Sequence, residues 1–137
     1  MILVDTNILV AVANSRDTHH ATALSLLEDL PDRLLVPPTV IAEVCYLLGE
    51  RAGAAAEVGF LRSFEAGELE LGELTLPDVR RMADLSQQYA SLRLGGTDAS
   101  LVAIAERLNI ARIATLDRRH FGVVRPRHVD AFTLLPA

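Results

Sequence analysis

Four carboxylates occupy positions where their type and setting could support chemistry. Asp5 follows the apolar run Ile2-Leu3-Val4, and Asp117 follows Ile113-Ala114-Thr115-Leu116, so each closes a short buried strand. Asp98 comes after Gly95-Gly96-Thr97 and opens an apolar stretch. Glu43 lies within Val40-Ile41-Ala42-Glu43-Val44-Cys45-Tyr46-Leu47-Leu48, apolar on both sides. Each acid also has an ordinary explanation. Asp5 suits a helix N-cap, as do Thr97 and Asp98, because such side chains accept from free backbone N–H groups. Asp117 suits a turn or cap. Glu43, in a helix apolar nearly all round, is expected to be buried, and so protonated, paired with an Arg or bound to a cation.

The combination says more than its members. Open α/β sheets collect ligands beyond the carboxyl ends of their strands. If the strands ending at Asp5 and Asp117 are neighbours in a parallel sheet, all four acids can converge at one sheet edge. Acids gathered without basic partners repel one another, and a hard divalent cation relieves that repulsion. All-oxygen ligation suits Mg²⁺ or Mn²⁺ rather than Zn²⁺. Such a site activates water and offsets the charge of a phosphodiester under in-line attack.

The elements that must position these acids alternate along the chain. Strands are expected at Met1–Val4, Arg33–Val36, about Leu69–Leu71, Ala111–Leu116 and Phe132–Leu135. Helices are expected at Ile8–Ala13, Asp17–Leu30, Thr39–Glu50, Gly53–Glu65, Pro77–Leu92 and Ala99–Leu108, with Pro37-Pro38 marking a helix start. In Pro77–Leu92 the residues Val79, Met82, Leu85 and Tyr89 share one face. This alternation predicts an α/β domain, three-layered, with a mainly parallel sheet and helices on both faces. At 137 residues, half of them hydrophobic, residues 1–137 read as one domain with one core.

Composition excludes several functions. The chain has no Lys, so catalytic and Schiff-base lysines are ruled out. A net charge of −5 argues against a broad basic footprint for nucleic acid. Cys45 stands alone, so no internal disulfide forms and a cytoplasmic setting suits the chain. Asp5 interrupts the opening apolar run, leaving neither a signal peptide nor a membrane span there. A haloacid-dehalogenase-like phosphatase needs a second Asp two positions after the first, where this chain has Asn7, and a receiver domain needs a lysine. Gly95-Gly96 lacks the Gly-Lys-Ser/Thr ending of a phosphate loop.

The motifs, taken in order, resemble one family. Val4-Asp5-Thr6-Asn7-Ile8-Leu9 resembles the opening of PIN-domain nucleases, and Val40-Ile41-Ala42-Glu43-Val44 resembles the helix carrying their glutamate. Gly96-Thr97-Asp98-Ala99-Ser100-Leu101 is similar to the segment of their third acid. Ile113 to Phe121 is similar to that of the fourth, with the basic turn and Phe common in VapC toxins of VapBC toxin–antitoxin pairs. The resemblance covers essentially the whole chain. It implies a PIN fold, a Mg²⁺- or Mn²⁺-dependent endoribonuclease, a homodimer and a cognate VapB-like antitoxin. By position it implies Asp5 and Asp98 as core metal ligands, with Glu43 and Asp117 completing the cluster. Thr6, Asn7 and Thr115 would support them by hydrogen bonds. A water attacking phosphorus would leave 5′-phosphate and 3′-hydroxyl ends.

Positive charge must then be local. Arg107, Arg112, Arg118, Arg119, Arg125 and Arg127 lie in a stretch whose only acid is Asp117, so this stretch either holds backbone phosphates or is an ordinary solvated surface. Arg118, Arg119 and His120 are the candidate RNA contacts, with packing beside Phe121 the alternative for His120. His19 and His20 read as surface residues. The small and aliphatic residues of Thr39 to Phe60 offer surface for an antitoxin helix or self-association. A non-catalytic PIN-fold protein that sequesters a partner is the competing reading.

Overall fold

The computed structural model describes residues 1–137. Ile2, Leu3 and Val4 are all fully buried, which a strand achieves only when both faces of its sheet are covered. They form β1 (Ile2–Val4), the centre of a five-stranded parallel sheet of order β3-β2-β1-β4-β5. Its other strands are β2 (Leu34–Val36), β3 (Glu70–Leu71), β4 (Arg112–Ala114) and β5 (Thr133–Leu135). Helices α1 (Thr6–Ala13) and α2 (His20–Asp29) connect β1 to β2, and α3 (Pro38–Arg51) and α4 (Ala54–Glu65) connect β2 to β3. The chain returns through α5 (Leu76–Gln88) and α6 (Gly96–Leu108) to β4, and α7 (Arg118–Phe121) precedes β5.

The helices pack in two groups, α1 with α2, α3 and α4, and α5 with α6. Right-handed crossovers running outward to β3 and then back across to β4 place these groups on opposite faces. The result is a three-layer α/β/α domain whose sheet is wholly parallel. No helix is long and apolar enough to cross a membrane. The core joins both layers through the sheet. Leu48 from α3, Leu85 from α5 and Leu101 from α6 are fully buried, each contributing about 1.5–3 kcal/mol.

The order of strands creates the crevice. From β1 the chain first moves to β2 and later to β4 on the other side, so the carboxyl ends of β1 and β4 flank a switch point. Val4 pairs with Ala114, and the Asp5 N–H donates to the Ala114 carbonyl at 2.9 Å. Asp5 and the segment Thr115–Asp117 therefore leave the sheet side by side.

Several expectations need correction. Helix α3 is not apolar all round: it fully buries only Val40, Val44 and Leu48, a stripe of period four, and Glu43 is exposed. The helix expected to run to Leu92 stops at Gln88; a 3-10 turn at Ala90–Leu92 follows, ending on Arg93 in the left-handed region. Val79 is 44% exposed, outside the buried face that Leu85 anchors. Helix α6 begins at Gly96 with Gly95 as N-cap, so Thr97 and Asp98 are within its first turn rather than capping it. The short α7 was not anticipated, because four residues carry too little periodicity to read.

Candidate active site

Asp5 is the N-cap of α1 and is 4% exposed, so the capping explanation and the sheet-end explanation hold at once. Its Oδ1 accepts from the Thr6 N–H at 2.7 Å and its Oδ2 from the Thr115 hydroxyl at 2.8 Å. Burial, the largest influence, pushes its carboxyl up from 3.8 to about 6. The Thr115 and Thr6 hydrogen bonds oppose that rise, while the charges of Asp98 and Glu43 add to it. No Arg stands beside it in any ion pair.

Asn7 and Thr115 brace the junction of the two strand ends. Asn7 Oδ1 accepts from the Leu116 N–H at 3.0 Å, and its Nδ2 lies 3.4 Å from both Asp5 Oδ2 and Thr115 Oγ1. The Thr115 hydroxyl also accepts from the Asp117 N–H at 2.9 Å. Thr6 supports Asp5 through its backbone N–H, while its buried hydroxyl has no hydrogen-bond partner.

Asp117 caps α7, its Oδ1 accepting from the His120 N–H at 3.1 Å. That turn brings the His120 ring back over the acids. Its Nδ1 lies 2.9 Å from Asp98 Oδ2 and 2.9 Å from Asp117 Oδ2. Two of the acids thus share an imidazole partner, which the expectation of acids without basic neighbours had missed. His120, which the sequence offers as an RNA contact or a neighbour of Phe121, thus faces these two acids. Asp98 is held above its ordinary range, first by burial and also by the charges of Asp117 and Glu43, against the lowering effect of His120.

Glu43 enters from α3. It has no Arg partner; its Oε2 accepts from the Thr97 hydroxyl at 2.9 Å. Behind this contact, fully buried Ser100 donates to the Thr97 carbonyl at 2.6 Å and meets the Thr39 hydroxyl at 2.6 Å. These hydroxyls tie the start of α6 to α3. The sequence reading missed Thr97 as a partner of Glu43, and Ser100 altogether; the only signal was a polar Ser inside an apolar helix.

Asp5, Glu43, Asp98 and Asp117 line one cleft of about 580 Å³, with Thr6 and Asn7 on its wall. Asp17, His19 and Arg51 also line it, and none of them was singled out for a site from the sequence. Ligand atoms of Asp98, Asp117 and His120 all lie within 4.8 Å of one another, close enough to share a cation. His120 offers such a cation a nitrogen that an all-oxygen set lacks.

The basic stretch is largely committed elsewhere. Arg107 pairs with Asp78, Arg112 with Asp32, and Arg118 donates to the Pro136 carbonyl. Arg119 is exposed, and neither it nor Arg118 lines the cleft.

A sequence model of the PIN domain matches residues 2–125. The chain belongs to the PIN-domain family. Among curated relatives of this PIN domain, Ribonuclease VapC26 of Mycobacterium tuberculosis (strain ATCC 25618 / H37Rv) is 34% identical over 135 residues, covering 98% of this chain and 100% of the relative. Its fold is shared by Mycobacterium tuberculosis VapC20, a sarcin-ricin loop cleaving toxin, with a TM-score of 0.81 at 21% identity over 86% of this chain and 91% of the other. VapBC2 from Rickettsia felis, bound to a promoter DNA fragment, matches with a TM-score of 0.68 at 20% identity over 98% of each chain.

Proposed function

We propose that this VapC-type PIN domain is a Mg²⁺- or Mn²⁺-dependent endoribonuclease and the toxin of a toxin–antitoxin pair. The observation that carries the reading is Asp5. A carboxylate 4% exposed, raised by burial and by two neighbouring acids and lacking any guanidinium, gains most from a cation in the cleft. Its relative VapC26 is a ribonuclease by name, which supplies the substrate class. Asp5 and Asp98 would hold the cation, with Glu43 and Asp117 completing the set. When bound, the cation supplies Lewis acidity to the phosphate and lowers the pKa of water.

The protein's own groups do the positioning. Thr115 and the Thr6 N–H fix both oxygens of Asp5. Thr97 aims Glu43, and His120 holds Asp98 and Asp117 together. Water attacks phosphorus, the P–O3′ bond breaks, and the leaving oxygen takes a proton, giving 5′-phosphate and 3′-hydroxyl ends. The rival route, through the 2′-hydroxyl, needs a base and an acid, and His120 has no second imidazole in its cluster.

Arg119 is the member of the expected RNA-binding turn left free to meet a phosphate. A VapB-like antitoxin is the partner this reading carries. Its helix would suit a second groove of about 580 Å³ between α1, α2 and α4, lined by Val12, Leu24, Leu27 and Phe60. A homodimer belongs to the same reading, with exposed Tyr46, Val58 and Leu61 as apolar surface for it.

End mapping on total cellular RNA tests the activity. Wild type with Mn²⁺ is expected to leave 5′-phosphate ends, and EDTA or Asp5→Asn to abolish them. Cyclic 2′,3′-phosphate ends, or cutting that persists in EDTA, would overturn the mechanism. Intact RNA with every divalent ion tested would favour the non-catalytic binding protein.

A further inference from the structure

The acid cluster fills only one end of its cleft. One wall is α3, which shows one side chain every four residues, Glu43, Leu47 and Arg51, the spacing of a single helix face. The other is α1, through Thr6, Asn7 and Val10, and Asp17 and His19 also line the cleft. Eight residues of helix separate Glu43 from Arg51, about 12 Å along the axis. The α3 wall is therefore graded, with Glu43 at the acid cluster, the half-buried Leu47 midway, and a guanidinium beyond.

Arg51 is the only cationic side chain of the Arg type on a surface that carries five carboxylates. It is exposed and, like Arg16, Arg80 and Arg119, takes part in no ion pair, but of the arginines it alone lines the cleft. Its place in the last turn of α3 favours a cation through the helix dipole, but that accounts for the charge and not for its facing the cleft. Asp17, another acid of the cleft, is already engaged: its Oδ1 accepts from the His19 N–H at 2.8 Å.

We infer that Arg51 binds a backbone phosphate next to the one being cut, with the intervening ribose or base against the half-buried Leu47. The inference rests on the ribonuclease reading and extends it to the path of the strand. A guanidinium can hold a phosphate with two parallel hydrogen bonds, and at this distance from the acids it fixes the register of the RNA without touching the reacting atoms.

Single-turnover cleavage of a short RNA spanning the mapped cut, with Mn²⁺, tests it. Arg51→Ala should raise the protein concentration for half-maximal rate about tenfold and leave the saturated rate within about twofold. The slope of log(kcat/KM) against log[salt] should become shallower by about 0.7, the value of one single-strand phosphate contact. Arg51→Lys should recover most of the affinity. Replacing one flanking phosphate by a neutral methylphosphonate should erase the difference between wild type and Arg51→Ala; a merely structural arginine would show no such position. If wild type cuts RNA but Arg51→Ala matches it in affinity and salt slope, the inference falls and the ribonuclease reading stands. If wild type neither binds nor cuts RNA, both fall.

Discussion

The cleft at the sheet edge and the seam between α5 and α6 use carboxylates in opposite ways. In the seam, Asp78 is 3% exposed, caps α5 through a capping box with Thr75, and takes the Arg107 guanidinium at 3.0 Å. Burial raises the Asp78 carboxyl, but Arg107 and Thr75 together outweigh it and hold it below its ordinary range. Glu106 behaves likewise beside Arg81 at 2.7 Å. In the cleft, the Asp5 side chain is as inaccessible, yet it stands above its ordinary range: burial raises it more than its hydroxyl and amide donors lower it, and no guanidinium assists them. Burial alone does not distinguish a functional acid from a structural one. The partner does: a paired acid is satisfied by the protein, and an unpaired one is left for a cation.

The largest effect that could break this contrast is on rate. Asp5→Asn keeps the size of the side chain and removes its charge. Single-turnover cleavage should slow roughly a hundredfold or more, with metal affinity falling in parallel by calorimetry. A variant that cleaves at the wild-type rate would show that the cleft acids are not set apart from those of the seam.

The seam should respond in stability instead. Asp78→Ala removes the Asp78 half of the α5 capping box, leaving the Thr75 cap, and deprives Arg107 of its carboxylate, at a cost of about 3 kcal/mol in urea denaturation. The cleavage rate per folded molecule should be unchanged. A loss of activity without loss of stability would reverse the assignment.

Acid titration sharpens the comparison because the two shifts have opposite signs. Asp5, raised to about 6 from 3.8, favours the folded state when protonated. Its contribution is fully present below 3.8 and is lost as pH rises through about 6; that gap corresponds to about 3 kcal/mol. Asp78, lowered from 3.8, contributes above that value, and its contribution is lost as pH falls through its depressed folded value. In EDTA, wild type should therefore lose stability relative to Asp5→Asn between pH 4 and 6 (about the window of that shift). Parallel stability curves for the two proteins would contradict the raised Asp5.

The smallest expected effect concerns Thr97. Thr97→Val removes one exposed hydrogen bond to Glu43, worth about 1 kcal/mol. Cleavage should slow a few-fold while the melting temperature stays within a degree or two (about the size of a surface change). A change in melting temperature without a change in rate would make Thr97 a packing residue.

Much of this was legible in the linear chain. The strands at Ile2–Val4 and Leu34–Val36 are short runs apolar at every position, as strands covered on both faces must be, and Pro38 marks the first turn of α3. The placement of Asp5 and Asp117 just past strand ends was likewise readable, because side-chain polarity changes abruptly there. What the linear chain did not carry was which basic or hydroxyl group each acid would meet. Glu43 was expected inside a buried helix, but an apolar run does not state how wide a face the fold will cover. His120 was beyond reach because its role depends on a one-turn helix that returns its ring to Asp98. The Arg107–Arg127 stretch reads equally as a phosphate-binding or a solvated surface, and neither reading includes the Asp78 and Asp32 partners of Arg107 and Arg112.

The sequence by itself determined the local elements, the parallel α/β class and the identities of the acids, since these follow from polarity patterns within a few residues. Only the tertiary structure decided which acid has a cationic partner, because ion pairs such as Arg112 with Asp32 join residues 80 positions apart. It also placed Arg51 at the end of the acidic cleft. That placement depends on how α3 packs beside α1, and the packing is set by the buried stripe of Val40, Val44 and Leu48 rather than by Arg51 itself.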